Sequence, residues 1–307
     1  MMNQQTFELL VLGCSSASPT SERNASGQLL NIAERFFLID CGEATQIQLR
    51  RYKAKFQSIG HLFISHLHGD HFFGVPGLIS SMHLLGRQKP LHIYAPAPLK
   101  EMLDLVMGMS DTRLRFELIW HFTGETGLHL LMEDEKVQVF SFPLSHRIPC
   151  HGFLFREKPL PRKIDKYKLA RLKISVADIL KLKAGMDVLN EEGVLIRNAD
   201  ATLDPPASRS FAYCSDTRFD VRVANYVQGV DLLYHESTFL DDQEQRAKAT
   251  FHSTAAQAAE IARIAGVKNL LIGHYSARYR ELQGFEQEAG RIFPGVQLAN
   301  DGKKIKI

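Results

Sequence analysis

Apolar positions along the chain fall into short runs of about four to eight residues, broken by Gly, Pro, Ser and Asn. Residues 7–14 (FELLVLGC) end in the cluster Gly13 to Thr20, which predicts a strand followed by a loop. Residues 28–40 (QLLNIAERFFLID) predict two strands joined by a short turn, 43–52 a helix, and 61–65 (HLFIS) a short buried strand. Over 71–85 the spacing turns helical, with an irregular first turn set by Gly74, Pro76 and Gly77. A strand is predicted at 91–95, a helix at 99–107, and strands at 114–121, 128–132 and 136–142.

The rhythm resumes after the middle of the chain. Strands are predicted at 211–214, 230–235 and 267–273, an Ala-rich helix at 254–265 and a last helix at 282–292. Two strand-rich halves, each with helices and separated by a segment at about 156–198, predict an α/β fold layered as an αββα sandwich.

At 307 residues, 45% hydrophobic and 23% charged, the chain is excluded from the disordered, collagenous and coiled-coil classes. No apolar run approaches the roughly 18 residues of a membrane span. The N-terminal MMNQQTFELL lacks a basic leader, so no secretory signal is expected. Cys14, Cys41, Cys150 and Cys214 are scattered without a CxxC pair, which fits a reducing cytoplasm and no disulfide framework. The net charge of +3 is unevenly spread: residues 156–183 hold ten Lys/Arg against three acids.

The chemistry concentrates in His66-Leu67-His68-Gly69-Asp70-His71, directly after the predicted strand 61–65. Alternate residues on extended backbone project to one side, so His66 and His68 can converge on one ion. Gly69 is expected to let the chain turn, so that Asp70 and His71 face a second. Imidazole and carboxylate suit Zn²⁺, with manganese or iron as alternatives. His146, Asp216 and His274 each follow a predicted strand, bringing the set to seven, enough for two ions sharing one carboxylate.

These stretches are in turn similar to a known family. Leu12-Gly13 with Pro19-Thr20, Asp40-Cys41-Gly42-Glu43, the 66–71 run, Ser215-Asp216-Thr217, His235-Glu236-Ser237-Thr238, His252-Ser253-Thr254 and Gly273-His274-Tyr275-Ser276-Ala277-Arg278-Tyr279 occur in one order over about 7–300. In that order they resemble the metallo-β-lactamase superfamily, and within it the short-form ribonuclease Z branch. The resemblance implies a four-layer αββα metallo-β-lactamase sandwich, a single domain over 1–307 with an inserted tRNA-binding arm at about 154–198. It implies one zinc on His66, His68 and His146, a second on Asp70, His71 and His274, and Asp216 between them, hence two Zn²⁺ per subunit. Asp40 and Gly42 would have structural roles beneath the site.

The expected reaction is removal of 3′ trailers from precursor tRNA, leaving a 3′-hydroxyl on the tRNA and a 5′-phosphate on the trailer. Asp70 would orient the attacking water and accept its proton. His252 would protonate the leaving oxygen, with Glu236 holding and charging its imidazole. Without the resemblance, His252 reads equally as a neighbour of the N-cap of the Ala-rich helix. Ser276 and Arg278 are expected at substrate phosphate, and Lys163, Lys166, Lys168 and Arg171 of the arm at the tRNA backbone. Where family arms often carry a Gly-Pro-rich motif, 172–178 here reads LKISVAD. His61, His83, His92, His121, His129 and His151 are expected to pack or face solvent. A homodimer is implied, with no membrane and no other protein partner. The rival reading is a zinc phosphodiesterase acting on other nucleic-acid or small phosphodiesters; a carbonyl-directed hydrolase of the superfamily is disfavoured by the HEST and HST stretches.

Overall fold

The computed structural model describes residues 5–124, 126–169 and 174–307. They form two compact units, one of residues 157–208 and one of 5–156 with 209–307. In the larger unit the first half holds β1 (Phe7–Gly13), β2 (Gly27–Ile32), β3 (Arg35–Cys41), α1 (Thr45–Arg51), β4 (Ile59–Phe63), α2 (Gly69–Phe72), α3 (Val75–Leu84), β5 (Leu91–Ala95), α4 (Pro98–Met109) and β6 (Leu118–Phe122). The chain then crosses to β7 (His129–Glu133), β8 (Val137–Leu144) and β9 (Cys150–Glu157). It resumes with β10 (Ser210–Cys214), α5 (Arg222–Tyr226), β11 (Leu232–Glu236), α6 (Glu244–Thr250), α7 (Ala255–Ala265), β12 (Leu270–Gly273), α8 (Gln283–Gly290), β13 (Gln297–Leu298) and β14 (Lys304–Lys306).

These strands build two seven-stranded sheets, ordered β14-β1-β2-β3-β4-β5-β6 and β13-β12-β11-β10-β9-β8-β7. Alternation along β1 shows how the layers form. Leu9 and Val11 join the core that Phe142, Phe153, Phe155 and Phe211 supply from the second sheet. Leu10 and Leu12 point the other way, onto Leu49, Leu78, Ile79, Leu99 and Leu103 of α1, α3 and α4. On the far side α7 packs Ala258, Ile261 and Ala262 against β11 and β12. Its N-cap Thr254 accepts from Gln257 N in a capping box, and Gly266 ends it with φ 61°. This is the expected αββα sandwich.

Two local readings change. Residues 150–157 form β9, which pairs with β10; fully buried CHGFLF shows no alternation, and Pro149 and Gly152 mask the run. The strand expected at 114–121 begins only at Leu118, where pairing with Leu91 of β5 starts; Thr112 N still bonds Met107 O at the end of α4. At Gly69 the chain turns as expected, from extended backbone into a helix. Gly69 opens α2, and a Cβ there would strike the Phe73 ring at 2.2 Å.

The smaller unit spans 157–208; in it Thr202–Leu203 pairs with Lys163–Ile164. It has its own small core of Leu182, Val188, Ile196 and Ala201. Ser175 caps the helix Val176–Lys183 by accepting from Asp178 N. Lys163, Lys166 and Lys168 are exposed, while Arg171 lies outside the described residues.

Candidate metal centre

The first six-residue motif leaves β4 in extended backbone and enters α2 with His68 as N-cap. His146 stands two residues beyond β8, Asp216 two beyond β10, and His274 directly after β12. Parallel pairing of β10, β11 and β12 sets their carboxyl ends side by side, where Asp216, Glu236 and His274 stand.

The seven predicted residues meet. His66 Nε2 and His146 Nε2 each lie 3.1 Å from His68 Nδ1. Asp216 Oδ2 is 3.5 Å from His66 Nε2 and 3.9 Å from His146 Nε2. Its other oxygen, Oδ1, turns to a second group, 3.3 Å from His71 Nε2 and 3.2 Å from His274 Nε2. Asp70 Oδ2 completes that group, 3.4 Å from the same two nitrogens. Asp216 Oδ1 is buried with no hydrogen-bond partner among the described residues, an expensive arrangement unless a cation satisfies it. Atoms ~2.0–2.1 Å from one tetrahedral zinc would sit roughly 3.3 Å apart, so both groups have the spacing and donor chemistry of ligand sets.

The surrounding hydrogen bonds fix which ring nitrogens are free. His146 Nδ1–H donates to Phe251 O at 2.9 Å and His71 Nδ1–H to Asp40 Oδ2 at 2.7 Å. Thr238 Oγ1–H donates to Glu236 Oε2 at 2.8 Å and so accepts from His274 Nδ1–H at 3.0 Å. In each case the Nε2 lone pair is left facing the cluster. Asp40 is further held by Ser65 N, Ser65 Oγ and Tyr213 OH. Asp40 and His274 both take positive φ, 54° and 63°, strain of the kind concentrated at functional sites. Gly42 is required by contact: a Cβ would stand 2.4 Å from Asp70 O.

Burial lowers the pKa of His66 and His68 and takes His146 to about 4, so these rings keep their lone pairs at neutral pH. Burial also opposes charge on His71 and Asp216, but the Asp216, Asp70 and Asp40 charges raise the His71 imidazole and the His274, His71 and His66 charges lower the Asp216 carboxyl, so a cation at the cluster would take the place of the proton that His71 Nε2 otherwise holds. His252 lies beside this centre, its ring centroid 5.3 Å from that of His146. Its Nδ1 is 2.9 Å from Glu236 Oε1. Burial works against the imidazolium, yet the Glu236 charge and hydrogen bond outweigh it and lift His252 to about 9.

The remaining predicted residues are less concentrated. Arg278 is exposed, donates to Ser276 Oγ at 3.1 Å and covers the Phe239 ring at 5.2 Å. His61, His92 and His121 stack across β4, β5 and β6. Sequence reasoning missed Thr238 as the support of His274, Phe251 as that of His146, and Ala17, whose N–H donates to Asp70 Oδ2 at 2.7 Å.

An αββα sandwich whose strand ends gather five histidines and two aspartates defines a metal-dependent hydrolase of the metallo-β-lactamase fold. A family model described as Anti-Pycsar protein Apyc1 matches residues 7–151. Ribonuclease Z of Parabacteroides distasonis is 44% identical, over 98% of this chain and 99% of its own. That of Cytophaga hutchinsonii is 45% identical over 98% and 96%. The solved structure of human tRNase Z, short form, aligns with TM-score 0.70 and 28% identity over 97% of this chain and 98% of its own. The chain belongs to the ribonuclease Z family of metal-dependent hydrolytic endoribonucleases. Among the described residues no helix is long and apolar enough to cross a membrane.

Proposed function

We propose that the chain cuts precursor tRNA after its last mature nucleotide, releasing the 3′ trailer with a 5′-phosphate and leaving a 3′-hydroxyl. The observation that carries this reading is Asp216, whose two oxygens face two separate ligand groups with the charged His252–Glu236 pair alongside. His66, His68 and His146 would hold one zinc, Asp70, His71 and His274 the other, with Asp216 shared. When bound, the ions make water nucleophilic at neutral pH and stabilise charge on a phosphoryl oxygen.

The chain's own residues supply the rest. Asp70, fixed through Oδ2 by Ala17 N, orients the attacking water and takes up its proton. His252 keeps Nδ1–H on Glu236, so its Nε2 proton is the one passed to the departing ribose 3′-oxygen. Glu236 accepts from Thr217 N, Thr238 N, Thr238 Oγ1 and Ser253 N as well. These donors hold the carboxylate still and charged while the proton moves. Ser276 and Arg278 contact substrate phosphate.

The unit 157–208 is the arm that clamps the tRNA body, with Lys163, Lys166, Lys168 and Arg171 on its backbone, in a homodimer working in the cytoplasm. Four buried free cysteines suit that setting. The test is incubation of purified protein with a precursor tRNA carrying a 3′ trailer, with and without chelator, with both product ends mapped. Cleavage at the mature end, lost with chelator and restored by Zn²⁺, is expected. Intact precursor, or a 2′,3′-cyclic end, overturns the reading.

A further inference from the structure

A polar cavity of roughly 400 Å³ is lined by Glu22, Arg23, Arg51, Tyr52, Arg280 and Asp301, among others. Arg23 is 6% exposed, and its Nε is buried without a hydrogen-bond partner among the described residues. Its other nitrogens donate to the carbonyls of Tyr279 and Arg280, which fix the group but carry no counter-charge. Asp301 is committed elsewhere. Its oxygens accept from Asn24 N and Nδ2, Gln48 Nε2 and the Cys14 thiol. Burial pushes its carboxyl above the ordinary range, while the Arg23 charge pulls it back down, so it meets that charge only without a direct bond. Arg51 and Arg280 are exposed at the same cavity, as is Glu22. Three guanidiniums thus share a pocket with two acids, Glu22 and Asp301, leaving positive charge in excess, and a buried guanidinium with no directly bonded counter-ion is costly.

The loop carrying Arg23 also serves the metal centre. Ala17 N on that loop bonds Asp70, and Ser15 and Ser16 pair with Tyr275 and Ser276 just beyond His274. A chain of phosphates with one ester at the cluster can therefore place another along this loop. We propose that the arginine pocket binds a backbone phosphate of the RNA substrate, Arg23 forming its fixed part and Arg51 and Arg280 closing on the anion. The forked guanidinium matches phosphate oxygens in pairs. This rests on the precursor-tRNA reading for the ligand's source, not for the anion chemistry.

The experiment compares wild type, R51Q/R280Q and R51K/R280K, each zinc-loaded, for precursor-tRNA KM across a salt series and for stabilisation by inorganic phosphate. The glutamine variant is expected to raise KM about tenfold at low salt and to flatten the log KM against log salt slope by about one. The lysine variant should recover the slope. Both substituted side chains are exposed, so folding is preserved, and melting curves verify it. Phosphate stabilisation lost in the glutamine variant, with KM and slope unchanged, assigns the pocket to a free anion and overturns the RNA assignment. No change in either readout overturns the anion site. Wild type that binds phosphate in this pocket but leaves precursor tRNA uncut sinks the proposed function and the RNA source, while the anion site stands.

Discussion

Glu236 and His252, sixteen residues apart, form a buried pair in which Oε1 lies 2.9 Å from Nδ1. The carboxylate stands at the end of β11 and the imidazole just before α7. Two elements must therefore dock correctly before the pair exists. His252 belongs to neither trio of proposed ligands, though it packs beside His146 and His274. His252→Ala is expected to retain metal while cleavage falls by ~10²–10⁴, the usual share of a positioned acid. Metal analysis beside single-turnover rates checks it. A near-normal rate, or loss of metal in parallel with activity, would reject the acid role.

Thr238 reaches the metal centre indirectly. Its hydroxyl spans Glu236 Oε2 and His274 Nδ1, and so fixes the tautomer that turns His274 Nε2 inward. Thr238→Val keeps the shape and removes the bridge. Weakening of the second ion by ~10–100-fold, typical of lost ligand support, is expected, with Thr238→Ser restoring much of it. Chelator-competition titration of metal content resolves the two ions. Unchanged affinity for both would dismiss the bridge as incidental.

The difference between His274 and Thr238 explains what a sequence can disclose here. His66, His68, Asp70 and His71 are legible because neighbours on one strand end converge by local geometry. His146, Asp216 and His274 are legible as polar residues directly after apolar runs. Thr238, Ser65 and Tyr213 are chemically ordinary, and their roles arise only when sheets and loops assemble. The same holds for Arg23, Arg51 and Arg280, which lie far apart in sequence. Strand β9 is not legible because burial on both faces erases alternation. The layers themselves were readable, since β1 divides its side chains cleanly between two cores.

His61 makes stability depend on pH. It stacks between Phe37 and His92, and its Nδ1 is buried without a partner among the described residues. Burial, then the neighbouring His92 charge, depress its pKa to about 4, with Asp134 opposing and His121 and Arg35 adding to the depression. The unfolded value is about 6.5, so between the two the unfolded chain binds more protons. The contribution is complete above pH ~6.5 and is lost as pH falls toward 4. It is on the order of 3 kcal/mol when fully developed. His61→Phe keeps the stack and removes the titration. Its urea stability is expected to fall less than wild type's between pH 7.5 and 5, by about 1–2 kcal/mol. Equal losses in the two proteins would refute the assignment.

Asp216 and His146 should differ in the number of ions they hold. Asp216 addresses both groups, through Oδ2 to His66 and His146 and through Oδ1 to His71 and His274. His146 contributes to the first group only, where Phe251 O fixes its ring. Asp216→Asn keeps the shape but removes the negative charge facing both groups, and one of its atoms becomes a donor turned toward a cation. Asp216→Asn is therefore expected to lower occupancy at both positions, His146→Ala at one. Mass spectrometry under native conditions, after dialysis against limiting zinc, counts the ions directly. Wild type should carry two, His146→Ala about one, and Asp216→Asn fewer than His146→Ala. Should Asp216→Asn retain two ions, the shared carboxylate is not what joins the sites, and the paired geometry needs another bridge.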